Sequence, residues 1–209
     1  MNKTARLAFL GVMAVATATS AMATWYTDKN LFLANIQAVY YQENFDDHTY
    51  GDPLQGDPKW SAPGGNGFGW DASAFDGLYS GFSALSTLAA EDPLITRITA
   101  SPAGGVTAIG GNFANTDING FVITGDVTVT LDNGESMTVT DQDGTKDFLG
   151  WVGTDVILTW NAVSSDPIGG QASWVQVDGH ISGQAVPEPG TVIALGVGLA
   201  ALAARRRRK

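Results

Sequence analysis

The chain has 209 residues, no cysteine, 26 glycines and a formal net charge of −10. The absence of cysteine excludes disulfides and thiolate metal sites. The acidic balance argues against nucleic acid and anionic membrane as partners of the folded part, because both carry the same sign of charge.

Met1 to Ala23 combines Lys3 and Arg6, an apolar stretch from Leu7 to Ala18, and Ala21-Met22-Ala23. A short basic region, a short apolar region and a small-x-small site predict a secretory signal peptide cleaved after Ala23. Sec export machinery and signal peptidase are therefore expected partners. Between the ends, Lys29, Lys59, Arg97 and Lys146 stand against twenty of the chain's 21 acids, a net charge of −16. Such a surface favours solubility and divalent cations.

Next in order, "TDKNLFLANI" predicts a short helix capped by Thr27 or Asp28, with Leu31, Phe32 and Asn35 on one face. Alternation from Val39 to Phe45 predicts the first strand. A polar loop, "DDHTYGDPLQGDP", follows. The aromatic- and glycine-rich "GGNGFGWDASAFDGLYSGF" fits either strands or a surface loop. "PLITRITA" reads as a strand, as do residues near 120–131, 135–140, 147–151 and 155–163, and "ASWVQVDGHIS" closes the set.

The hairpin in "VTVTLDNGESMTV" can be argued to its turn. A two-residue Asn133-Gly134 loop sets Val129 opposite Thr138. A three-residue Asp132-Asn133-Gly134 loop sets Val129 opposite Met137 and Val127 opposite Val139. Facing residues share a side of the sheet, so the longer loop, with Gly134 at positive φ, is the expected one. Thr128, Thr130, Thr138 and Thr140 then form the outer face. Some eight short antiparallel strands predict an all-β fold. We expect a single β-sandwich, jelly-roll-like, over residues 24–185, with an N-terminal signal helix and a C-terminal hydrophobic helix.

The chain closes with Val186-Pro187-Glu188-Pro189-Gly190, a charge-free run from Thr191 to Ala204, and Arg205-Arg206-Arg207-Arg208-Lys209. Two prolines keep the first part extended. As a helix, residues 191–204 would span about 21 Å, short of a hydrocarbon core of roughly 30 Å. Snorkelling flanks make up part of the difference, and the basic cluster stays on the cytoplasmic side.

Motif, order and terminal position together resemble the sorting signal of the PEP-CTERM class of exported bacterial proteins, over residues 186–209. That resemblance implies transient anchoring in the inner membrane through the C-terminal helix. Exosortase, a membrane protease, then removes the tail, and the protein ends at the cell surface or outside the cell. A looser resemblance links "AIGGNFANTDINGFVITGDVTVTLDNG", "FLGWVG" and "WVQVDGHISG" to the passenger domains of such proteins. It implies a sandwich with no assigned activity.

For catalysis, neither His48 nor His180 lies in a motif, and no G-x-S-x-G, H-E-x-x-H, P-loop or G-x-G-x-x-G pattern occurs. No catalytic residue and no required cofactor is expected. Calcium is the one candidate ion. "DQDGTKD" brings Asp141, Asp143 and Asp147 into one turn, and Glu43, Asp46 and Asp178 form a second candidate set by analogy with jelly-roll modules. Sugar stacking needs aromatic faces beside polar groups, which singles out Trp60, Trp70 and Tyr79, flanked by Asn66, Asp71 and Asp76. Trp151, Trp160 and Trp174 sit in strand patterns and are expected in the core. The expected function is a non-catalytic binding or structural module for polysaccharide or matrix partners. The alternative is a secreted glycan hydrolase with unrecognised carboxylates.

Overall fold

Two antiparallel sheets build the protein in this computed structural model, which describes residues 23–45, 59–62, 64–81, 83–141, 144–165, 172–187 and 198. The elements in chain order are β1 (Thr24–Tyr26), α1 (Lys29–Ala34), β2 (Tyr41–Glu43), β3 (Lys59–Ser61), β4 (Gly69–Ser73), β5 (Leu78–Gly81), β6 (Ala84–Thr87) and β7 (Leu94–Ala100). Then come β8 (Ala108–Thr116), β9 (Val122–Ile123), β10 (Gly125–Leu131), β11 (Ser136–Asp141), β12 (Asp147–Val152), β13 (Thr159–Ser165) and β14 (Trp174–Gly183).

The first sheet runs β1-β12-β8-β14-β6-β5, with β2 also on β14 and β9 on β8. The second runs β11-β10-β13-β7-β4-β3. These strands belong to one contact-dense unit, Met22–Val186. The other unit, Met1–Ala21 with Pro187–Lys209, lies almost wholly outside the described residues, as do the expected signal peptide and hydrophobic helix.

The expected hairpin is present in its three-residue form. Val129 pairs with Met137 and Val127 with Val139, Gly134 has φ 90°, and the Leu131 N–H donates to the Glu135 carbonyl. On the outer face the Thr128 and Thr138 hydroxyls bond at 2.8 Å. Other expectations need correction. The strand expected over 39–45 pairs only at Tyr41–Glu43, and the one expected over 155–163 begins at Thr159. The central strand β8, between β12 and β14, escapes the sequence pattern. "AIGGNFANT" is covered on both faces, so no polar–apolar alternation marks it.

α1 begins where expected. The Asp28 carboxylate accepts from the Asn30 and Leu31 N–H groups at 2.7 and 3.1 Å, satisfying two donors that a helix start leaves free. The face expected to carry Leu31, Phe32 and Asn35 together is corrected, because Leu31 is 59 % exposed and Asn35 is exposed, while Phe32 alone is buried. Phe32 lies on the sheet where Gly110 and Gly150 pair. A Cβ on Gly150 would come within 2.5 Å of the Phe32 ring. Phe148, Ile181, Ala108, Val152 and Ile36 complete this small cluster on the outer face of the first sheet.

The main core lies between the sheets. Trp70 and Trp160 meet Leu78, Leu85, Phe113, Val175 and Val177 there. β14 serves both clusters because of a bulge. Its register on β8 shifts between Asp178 and Ile181, with Gly179 at φ 63°. Val175 and Val177 face the main core, whereas Ile181 emerges on the outer face. One extra residue therefore reverses the phase of the strand.

His180, fully buried beyond that bulge, lies 4.3 Å from the Trp70 ring and 5.6 Å from that of Trp160. Its Nε2 pairs with the Ser182 hydroxyl at 2.9 Å, while Nδ1 has no partner. Glu43 stands opposite in register, its carboxylate occupied by the Tyr41 hydroxyl and the Phe45 N–H. Burial pushes the imidazole pKa down to about 3.

The glycine positions separate two costs. Gly134→Ala meets no heavy atom within 4 Å and should cost about 1 kcal/mol through backbone strain alone. Gly150 has no positive φ and carries no such strain, but its Ala must displace Phe32 and Phe148 and should cost about 1–3 kcal/mol, as overpacking does. Urea midpoints of the two variants measure the difference. His180 sets a pH dependence. With its folded pKa below the unfolded value near 6.5, the unfolded chain binds more protons between about pH 6.5 and 3. Its contribution is complete above pH 6.5 and declines as pH falls, by roughly 1 kcal/mol per pH unit. The difference in unfolding free energy between wild type and His180→Leu, followed from pH 7 to 4, should show this slope.

Candidate functional site

The outer face of the first sheet is covered unevenly. α1 and its cluster sit on the β12, β8 and β14 end. Toward β5 and β6 the same face is open. Register pairs Tyr79 with Ser86, Ser86 with Gln176, Gln176 with Ala114 and Trp174 with Thr116, so these side chains share that face. Tyr79, Ser86, Gln176, Trp174 and Thr116, with Thr87, Leu88 and the turn from Asp117 to Gly120, line a groove of about 470 Å³.

The groove is held rigidly. The Trp174 indole donates from Nε1 to the Leu88 carbonyl at 3.0 Å, which fixes its ring edge. The Thr116 hydroxyl donates to the Trp174 carbonyl, and that of Ser86 to the Val175 carbonyl. In the adjacent turn, Asp117 Oδ1 accepts from the N–H groups of Asn119 and Phe121 at 2.8 and 3.0 Å. Desolvation works against the ionised form of Asp117, but the N–H groups of Phe121, Asn119 and Gly120 outweigh it and hold the carboxyl below its ordinary pKa. Gln176 is only 2 % exposed, and its Oε1 has no partner. Tyr79 and Trp174 are half-buried, so each leaves part of its ring accessible, and the Trp174 ring is held by its bond to Leu88.

Of the three aromatics expected to stack on a ligand, only Tyr79 lies here. Trp60 and Trp70 are 7 % and 0 % exposed and touch each other and Phe45 in the main core. The alternation of β3 and β4 turns them inward beside Ala72, so they are core residues and not a binding surface. Trp174, expected in the core, belongs to the groove instead, whereas Trp151 and Trp160 are core. Of the flanking residues, Asn66 donates to the Tyr40 carbonyl and the Asp76 N–H donates to Asp92. Asp71 lies on the outer face of the second sheet, 2.7 Å from Lys59. Desolvation raises its pKa, while Lys59, Ser61 and Arg97 lower it further, so it stays below the ordinary value.

The residues expected to hold calcium divide differently. Asp143, Asp46 and the Asp141 side chain lie outside the described residues. Asp147 is the first residue of β12. Glu43 is occupied by Tyr41 and Phe45, and Asp178 by Lys146 at 3.4 Å. Among the described residues, no three His, Cys, Asp or Glu side chains converge to hold a metal ion.

Sequence reasoning missed Gln176 and Trp174. The signal was present in "ASWVQVDG", where Trp174 and Gln176 alternate with the inward-facing Val175 and Val177. At the far end the chain leaves the sandwich beside α1. Gln37 donates to the Gln184 carbonyl, Ile36 bridges to Ala185, and the Val186 N–H donates to the Asn35 carbonyl. Val186 and Pro187 are exposed, and Glu188, Pro189, Gly190 and Arg205 to Lys209 lie outside the described residues. Among the described residues no helix is long and apolar enough to cross a membrane.

Comparison with solved structures finds family 29 carbohydrate-binding modules at 12 % identity and a TM-score of 0.41. One covers 74 % of this chain and 97 % of the module. Another, a substituted variant, covers 73 % and 99 % at the same identity and TM-score. Comparison with curated proteins gives no match. Residues 185–208 match the family described as the PEP-CTERM protein-sorting motif. The Pro-Glu-Pro segment, charge-free run and terminal cations are thus the sorting signal of a PEP-CTERM-containing protein.

Proposed function

We propose that the chain is an exported, exosortase-processed protein of the cell surface or extracellular matrix, whose sandwich binds polysaccharide without cleaving it. The groove carries this reading. Two half-buried aromatic rings, Tyr79 and Trp174, stand beside amide and hydroxyl groups on a rigid strand platform, the combination that pyranose faces and their hydroxyls require. Its volume lies within the range of roughly 300–1,000 Å³ usual for small-molecule sites. Glycoside hydrolysis needs two carboxylates flanking the scissile bond, and among the described residues that line the groove Asp117 is the one carboxylate.

The export half of the proposal rests on the sorting motif and on where it begins. Residues 35–37 pin the chain up to Val186, and the motif's Pro-Glu-Pro starts at the next residue, Pro187, which is exposed. The motif therefore begins where the folded sandwich ends, at an exposed residue. Calcium belongs to the proposal only as a ligand of the Asp141, Asp143 and Asp147 turn.

Replacing Pro187, Glu188 and Pro189 by alanine should leave a membrane-associated precursor, seen on an immunoblot of fractionated cells that contain exosortase. Trimming and export like wild type would overturn the sorting half. For the binding half, Tyr79→Ala and Trp174→Ala should each weaken polysaccharide binding about tenfold, the loss expected from roughly 1.4 kcal/mol of ring contact. Affinity electrophoresis in gels containing soluble polysaccharides measures this, and unchanged retardation of both variants would count against the groove.

A further inference from the structure

We propose that the groove selects uncharged sugar units and turns away uronic-acid and sulfated glycans, with Asp117 as the discriminating residue. The inference rests on the polysaccharide-binding reading above and specifies its ligand.

The first argument is the placement of charge. No Lys, Arg or His is among the described residues that line the groove. The four cations between the two ends lie elsewhere: Lys59 and Arg97 on the outer face of the second sheet, Lys146 against Asp178, and Lys29 in α1. Recognition of a carboxylate or sulfate depends on a cation or on several converging N–H donors. Here the backbone donors of the groove turn are already taken by Asp117 itself. An anionic sugar would meet a fixed negative charge in the wall and the field of twenty acids around it.

The second argument is Gln176. This side chain is almost fully buried at the groove and its Oε1 has no partner in the protein, a costly arrangement for a structural residue. Its Oε1 is buried as it stands, and rotation about the last side-chain torsion exchanges the two ends of the amide. A sugar hydroxyl both donates and accepts, so it satisfies the amide in either orientation, while a carboxylate or sulfate only accepts. Between the rings of Tyr79 and Trp174, a neutral pyranose enters without bringing an unpaired charge into the site.

The test is isothermal titration of the purified full chain with neutral hexasaccharides of glucose, mannose and xylose, and with hexamannuronate, at 20 mM and 500 mM salt. At least one neutral hexasaccharide should bind with an affinity insensitive to salt, and Trp174→Ala should weaken it about tenfold. Hexamannuronate should bind at least tenfold more weakly and improve at high salt, where repulsion is screened. Asp117→Asn keeps an oxygen to accept from Asn119 and Phe121, so the turn survives. It should shift the preference toward hexamannuronate, narrowing the ratio of the two affinities about threefold. Gln176→Met should weaken the neutral ligand about fivefold with an unchanged or higher Tm, whereas a purely structural glutamine would lower Tm. Equal or tighter binding of hexamannuronate overturns the selectivity and leaves polysaccharide binding standing. Binding of neither class overturns the polysaccharide reading and the selectivity with it.

Discussion

The bulge in β14 organises the two faces of the first sheet. An uninterrupted strand would turn Val175, Val177, Gly179 and Ile181 to one side. Because its register on β8 shifts between Asp178 and Ile181, His180 enters the main core and Ile181 joins Phe32 and Phe148 on the outside. One part of β14 therefore offers an apolar patch that α1 covers, and the other offers Trp174 and Gln176 to the groove. A strand without the bulge could not supply a docking patch for α1 and a main-core contact for His180 at these positions. The uneven coverage of the outer face follows from that phase change.

Glycine makes the covered half possible. Gly110 and Gly150 lie opposite each other in β8 and β12, and the Phe32 ring rests against backbone there. A helix of six residues has little stability of its own. Its position depends on the Asp28 cap, on Phe32 and Ile36 in the apolar cluster, and on the backbone pairing that ties residues 35–37 to the chain's exit. The position of the first helix and the path of the chain up to Val186 are thereby linked through one short segment.

The interior retains polar groups at some cost. His180 Nδ1, the Nε1 atoms of Trp70 and Trp160, and Thr96 Oγ1 are buried without partners. Asn115, also buried, instead spans the sandwich from β8, donating to the carbonyls of Asp126 and Ser165 in the second sheet. The two donated bonds fix the relative register of the sheets, although Asn115 Oδ1 is itself buried without a partner, while unpaired ring nitrogens weaken the centre of the core. Surface charge is similarly divided, since the acids that dominate the domain confer solubility and also limit which partners can approach it.

The sequence by itself determined what local geometry and composition control. Asp132, Asn133 and Gly134 and the flanking alternation determined the hairpin register. Asp28 determined where α1 starts. Pro187, Glu188, Pro189 and the terminal cations determined the sorting signal. Each of these depends on residues a few positions apart, or on composition alone. Tertiary structure decided the rest. β8 is hidden in sequence because both its faces are covered. Trp60 and Trp70 could stack on a ligand or fill a core until β3 and β4 acquired partners, and Trp174 was assigned to the groove only once α1 had covered the other half of its sheet. Which side a strand residue faces is a property of its neighbours across the ladder, and a bulge one residue long can reverse it without leaving a pattern in the strand's own composition.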